Sequence, residues 1–150
     1  GLITVDLPPE EVSAMNAELQ RQNIDNIFLI SPTTDDDRVA TITAQASGFI
    51  YYVALKGVTG AGHLDTDAVE THLATIRQYT SLPVAVGFGI KDADTAAIVA
   101  GCADAVVVGS ALVDLVASDL GTGGSYDSAI SGAHSLISSI RNGVNLATSN

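Results

Sequence analysis

Gly57-Val58-Thr59-Gly60, Gly87-Phe88-Gly89-Ile90 and Val106-Val107-Val108-Gly109-Ser110 decide the reading of this 150-residue chain. Each follows or closes a short β-branched apolar run and stands ahead of a stretch with helical period. A glycine after a strand is ordinarily a turn residue. Three of them in strand, loop, helix order bring bare backbone N–H groups toward one point, which is what an anion site requires.

Outward from these stretches, β-branched runs alternate with helical periodicity five times, the signature of βα units and a parallel sheet. The first unit reads as a strand from Leu2 to Val5 and a helix from about Pro9 to Gln22. Val12, Met15 and Leu19 recur there at spacings of three and four, Pro9 suits the first turn, and Glu10 and Glu11 complement the dipole. The second pairs a strand at Asn26 to Ile30 with a helix whose buried stripe is Val39, Ile42 and Ala46. Ser31-Pro32-Thr33-Thr34 joins them, with Thr34 as N-cap and Asp35, Asp36 and Asp37 in the first turn. The third strand, Phe49 to Ala54, leads into a loop from Leu55 to about Thr66, long enough to suggest function, and a helix carrying Val69, Leu73 and Ile76. The fourth strand spans Leu82 to Gly87, and its helix offers Ala97, Ile98 and Val99 to the core. The fifth spans Ala105 to Val108, followed by a short helix with Leu112, Val113 and Val116. Ser118 to Ser128 reads as a flexible connection. A terminal helix then presents Ile130, Ala133, Leu136, Ile137, Ile140 and Val144, and residues 1–150 read as a single domain.

Seventeen acidic residues against six basic give a formal charge of −11, which argues against nucleic acid because phosphate-backbone binding rests on clustered Lys and Arg. The longest apolar stretch, near Ala105 to Val113, falls short of the roughly 18 to 20 residues of a membrane span. The first residues lack the order of a signal peptide, so a soluble protein is expected. Cys102 is the only cysteine, so an intrachain disulfide and a Cys₂ or Cys₄ zinc site are excluded, in keeping with a reducing cytoplasm. Its small neighbours suggest a buried residue rather than a reactive thiol. The run Asp35 to Asp37 reads as dipole partners facing water rather than a metal site. His63, His72 and His134 read as solvated.

Val5-Asp6-Leu7-Pro8-Pro9-Glu10-Glu11, Ser31-Pro32-Thr33-Thr34, Gly57-Val58-Thr59-Gly60, Gly87-Phe88-Gly89-Ile90 and Val108-Gly109-Ser110-Ala111 together resemble the tryptophan synthase alpha chain. The resemblance implies an α/β fold, a partial (βα)₈ TIM barrel made of strands four to eight plus a C-terminal helix. The first three βα units of a closed barrel are expected to be missing. That family cleaves indole-3-glycerol phosphate to indole and glyceraldehyde 3-phosphate in tryptophan biosynthesis, a lyase reaction needing an acid at the indole carbon and a base at the glycerol hydroxyl. Its two catalytic carboxylates lie on the second strand and the next loop, so no catalytic residue is expected here and the isolated chain should be inactive.

The resemblance nominates Gly60, Gly87, Phe88, Gly89, Gly109 and Ser110 as the phosphate cradle, where glycine lets the backbone approach an anion and Ser110 lies at a helix N-terminus. Tyr51 and Phe88 match positions around the indole, although Tyr51 suits a barrel interior equally well. Thr59 matches a supporting loop threonine that closes the site, or else caps its own turn. Asp6 matches a residue that communicates with the tryptophan synthase beta chain, or else belongs to a plain turn. Pyridoxal phosphate belongs to that partner, so no cofactor and no metal are expected in this chain. Another phosphate-binding TIM-barrel enzyme, or a non-catalytic phosphate-binding half-barrel, are the alternative readings.

Overall fold

The structure is a computed structural model in which residues 1–54, 66–87 and 89–148 are described. The strands are β1 (Leu2–Ile3), β2 (Asn26–Ile30), β3 (Ile50–Val53), β4 (Val84–Gly87) and β5 (Ala105–Val107). The helices are α1 (Ser13–Arg21), α2 (Asp36–Gln45), α3 (Thr66–Tyr79), α4 (Ala93–Ala100), α5 (Ser110–Gly121) and α6 (Tyr126–Ala147), with a 3-10 turn at Pro9–Glu11. The strands form one sheet in chain order, and every pair is parallel. Sequential βα units with parallel neighbours are the expectation from the periodicity, and the sheet carries them in that order.

One face of this sheet holds the core. Phe28, Ile30, Ile50, Tyr52, Val84 and Val86 pack against Val39 and Ile42 of α2, Val69, Leu73 and Ile76 of α3, and Ala96 and Val99 of α4. The alternation on β3 is strict: Ile50 and Tyr52 are buried while Tyr51 and Val53 are half-buried on the opposite face. The Tyr52 ring stacks on His72, centroids 5.9 Å apart at 27°. His72 Nδ1 lies 2.7 Å from the Ala68 carbonyl, so the ring is held by α3 and β3 rather than solvated.

A buried amide pins the start of β2. Asn26 is 2% exposed; its side chain donates to Asn16 Oδ1 at 2.7 Å and accepts from the Thr4 hydroxyl at 3.1 Å. Its backbone N–H donates to Ser47 Oγ at 2.9 Å, and Asn16 donates in turn to the Gln45 carbonyl. A buried amide is tolerated when its groups are paired, and this one ties β1, α1, β2 and the end of α2 together.

Several local expectations are corrected. The helix from Pro9 breaks into the 3-10 turn and α1. Val12, at the junction, is the buried anchor, and α1 itself buries no residue. Asp35, not Thr34, caps α2, accepting the Arg38 N–H at 2.8 Å. Thr34 Oγ1 instead accepts the Ser31 N–H and closes the turn before it. On α4 the core positions are Ala96, Val99 and Ala100, and Ile98 is 54% exposed. Small residues face inward because α6 lies close: a Cβ on Gly143 would meet the Ala93 backbone, its carbonyl carbon at 2.9 Å.

The segment from Ser118 to Ser128 is helical at both ends, with a break only over residues 122–125. α5 runs to Gly121, and Ser125 caps α6 in a reciprocal box with Ser128, so the serines act as caps rather than as a linker. Val113 of α5, and Ile130 and Ile137 of the apolar face expected on α6, are exposed. From that face Ile140 is buried and Leu136 and Val144 pack against the core, and α6 adds Ala129 and Gly143 to its inward side.

Candidate functional site

Because all five strands run the same way, their C-terminal ends share one rim, the usual place for ligand sites in parallel α/β folds. Asp6 follows β1 there with φ 61°, Ser31 follows β2, Gly87 ends β4, and Gly109-Ser110 follows β5. Registers of Tyr51 with Ala85 and of Gly87 with Val107 set the last three strand ends side by side.

The glycines differ in their reasons for being glycine. A Cβ on Gly87 would lie 2.6 Å from Tyr51 Cε2 and 2.8 Å from Tyr51 Cζ. The phenol of β3 thus occupies the space over β4, bringing the expected indole-pocket residue and a cradle residue together. Gly89 has φ +79°, a conformation that favours glycine. Among the described residues nothing stands within 4 Å of a Cβ placed on Gly89 or Gly109.

Gly109 is the N-cap of α5 and, lacking a side chain, offers no cap hydrogen bond; Ser110 begins the helix. By contrast Asp35, Asp92 and Ser125 cap α2, α4 and α6 with their own oxygens. The Gly109 carbonyl takes the Leu112 N–H at 3.0 Å and the Val113 N–H at 3.2 Å, which leaves the amides of Ser110 and Ala111 for an outside acceptor at the positive end of the helix dipole. Thr59, Gly60 and Phe88, together with His63, lie outside the described residues.

Elsewhere on the rim, Ser31 Oγ lies 2.9 Å from Thr33 Oγ1 and 3.2 Å from Thr34 Oγ1. Ser31, Thr34, Asp6, Leu7, Pro9 and Arg38 border a hollow of about 540 Å³ between β1, β2 and α2. Arg38 is anchored there by Glu10 at 2.9 Å. The sequence reading did not assign Arg38; its only signal was a single cation beside three aspartates.

Two carboxyls away from the cradle are held below the usual carboxylate range. For Asp92 the main cause is the backbone N–H of Thr95, then its hydroxyl. For Asp104 it is the backbone N–H of Val84, then Arg77. Burial pushes the Cys102 thiol up, the opposite of an activated nucleophile. Among the described residues no group of three or more His, Cys, Asp or Glu could hold a metal ion, and no helix is long and apolar enough to cross a membrane.

Comparison with known proteins bears on the same architecture. The family model described as tryptophan synthase alpha chain matches residues 1–139. A tryptophan synthase alpha chain of Thioalkalivibrio sulfidiphilus is 58% identical over 117 residues, 78% of this chain and 44% of that protein. One from Dechloromonas aromatica is 46% identical over 144 residues, 96% of this chain and 52% of that protein. The crystal structure of tryptophan synthase subunit alpha from Legionella pneumophila superposes with a TM-score of 0.79 at 33% identity, over 95% of this chain and 51% of that one. The chain therefore spans about half the length of the relatives it matches, and its five parallel strands form part of a TIM barrel wall. On sequence and fold alike, the chain belongs to the tryptophan synthase alpha chain family.

Proposed function

We propose that this chain supplies the phosphate-binding half of a lyase site that cleaves indole-3-glycerol phosphate. The carrying observation is the head of α5, where Gly109 leaves the Ser110 and Ala111 amides without a side-chain cap and no described residue stands within 4 Å of its Cβ position. Such an end binds phosphate through N–H groups and the helix dipole. Gly89 adds a second unobstructed backbone approach, and Ser110 adds a hydroxyl. Gly60 and Phe88 complete the cradle in this reading, Thr59 supports the loop over it, and Tyr51 and Phe88 border the indole.

The retro-aldol step needs a proton delivered to the indole ring carbon and one removed from the glycerol hydroxyl. No residue of this sequence matches the family's two carboxylates, so the 150-residue chain holds substrate and does not turn it over. The tryptophan synthase beta chain is the proposed partner, engaged on the side of Asp6, and pyridoxal phosphate resides there. A cytoplasmic setting goes with this reading.

Titrating the purified chain calorimetrically with glycerol 3-phosphate tests the cradle. Weak, saturable binding is expected, and Gly109→Val, which places a branched side chain where the phosphate approaches, should abolish it. Equal binding by the variant would move the site elsewhere. Indole release from indole-3-glycerol phosphate above a denatured control would overturn the non-catalytic assignment.

A further inference from the structure

A second hollow, of about 150 Å³, lies on the helical side of the sheet between β2, β3, α2 and α3. Both strands have strand neighbours on each side, so its walls belong to the middle of the fold. Ile30 and Ile76 give it an apolar wall, and Asp36, Tyr52, Thr71, His72 and Thr75 bring polar groups to it. Among the described residues no lysine or arginine borders it.

These groups have few hydrogens left to give. The Thr71 hydroxyl donates to the Asp67 carbonyl at 2.8 Å and the Thr75 hydroxyl to the Thr71 carbonyl at 3.2 Å, so each keeps only lone pairs for a ligand. His72 Nδ1 lies 2.7 Å from the Ala68 carbonyl, which only accepts, so Nδ1 carries the hydrogen and Nε2 of the neutral ring is an acceptor. The Asp36 carboxylate adds further acceptor oxygens. Tyr52 is 1% exposed, and its hydroxyl makes no hydrogen bond among the described residues, although a buried phenol ordinarily finds a partner. No described side-chain oxygen sealed from solvent lacks one, so this hydroxyl opens onto the hollow it borders.

We propose that this hollow binds a small primary ammonium ion, whose N–H groups donate to Asp36, His72 Nε2 and the Tyr52, Thr71 and Thr75 oxygens while its alkyl stem lies against Ile30 and Ile76. An ammonium group has three donors and no acceptor, the complement of a wall that mostly accepts. Size limits the stem. At roughly 30 Å³ for each water the space holds about five waters, or an amine of a few non-hydrogen atoms. Charge agrees, since the chain carries a formal −11 and draws small cations to its surface. Among the described residues no three His, Cys, Asp or Glu come together to hold a metal, so the recognition rests on directed N–H donors.

The test is an NMR titration of the whole chain at neutral pH that follows the ring protons of His72, with those of His134 on α6 as an internal reference. Ethylammonium chloride is the probe, and potassium chloride and ethanol at the same concentrations are its controls. Saturable movement of the His72 signals is expected with ethylammonium alone, at about millimolar concentration for so small a ligand. Asp36→Asn should raise the dissociation constant about tenfold, and Tyr52→Phe and Thr75→Val, which keep the shape of the wall, about fivefold each.

A drift that never saturates would show that the hollow holds water only and would overturn the proposal. So would an equal response to potassium, which carries the charge without the N–H donors, or to ethanol, which carries the stem without the charge. Should Asp36→Asn unsettle the start of α2 and lose helical circular dichroism, the two shape-keeping variants decide; unchanged binding in both would place the ligand elsewhere.

Discussion

At residue 87 the absence of a side chain has a packing cause. The Tyr51 ring already fills the position of a Cβ, so Gly87→Ala forces either the ring or β4 to move. Overpacking of this kind costs about 1–3 kcal/mol. We expect a urea midpoint lowered accordingly and substantially restored in the double variant Gly87→Ala, Tyr51→Ala; equal losses in single and double variants would show that the collision is not the cause. Gly109 differs, since no described residue stands within 4 Å of its Cβ position, and a substitution there should affect ligand more than stability. Sequence alone gave both glycines the same reason, because a steric neighbour from an adjacent strand leaves no trace in local spacing. The strand that carries Tyr51 was legible, since its composition and period need only the strand itself. Thr59, Gly60 and Phe88 rest on the resemblance alone.

At the level of elements, side-chain caps fix where helices begin. Asp92 and Thr95 bond each other reciprocally at the start of α4, and Asp92→Ala should cost about 1 kcal/mol. The pH dependence follows from direction. Asp92 and Asp104 are both held below their ordinary values, so their stabilisation is complete above the ordinary carboxylate pKa of about 4 and is lost as pH falls through the lowered values. Denaturant titrations from neutral to acid pH should therefore show parent and Asp92→Asn converging at the acid end; a constant gap would contradict the assignment. Gly143→Val, which would press on the Ala93 backbone, should separate α6 from α4 and lower the melting temperature. Element order, the extent of β2 and the stripes on α2 and α3 were legible because their periodicities are local. The cap at Asp35, the inward face of α4 and the helical stretch after Ser118 were not. Each depends on which of several competing polar groups or small residues the neighbouring element touches.

Across the whole molecule, burial is uneven. β2, β3 and β4 lie between neighbours on both sides, whereas α1 and α5 bury no residue. Amide hydrogen exchange should accordingly be slowest in the three central strands and fastest, among the secondary elements, in β1, α1 and α5. Uniform protection across the elements would contradict this gradient. Tyr52 gives the chain a built-in optical signal. There is no tryptophan and there are four tyrosines, so ultraviolet emission and phenolate absorbance come from tyrosine alone. Tyr52 is 1% exposed, and burial pushes its phenol up to about 12. Because the folded value exceeds the unfolded one of about 10, folding favours the neutral phenol. Stability should decline as pH climbs between those values, with a late phenolate step that vanishes in Tyr52→Phe. That step reports on the layer between sheet and helices without any attached dye.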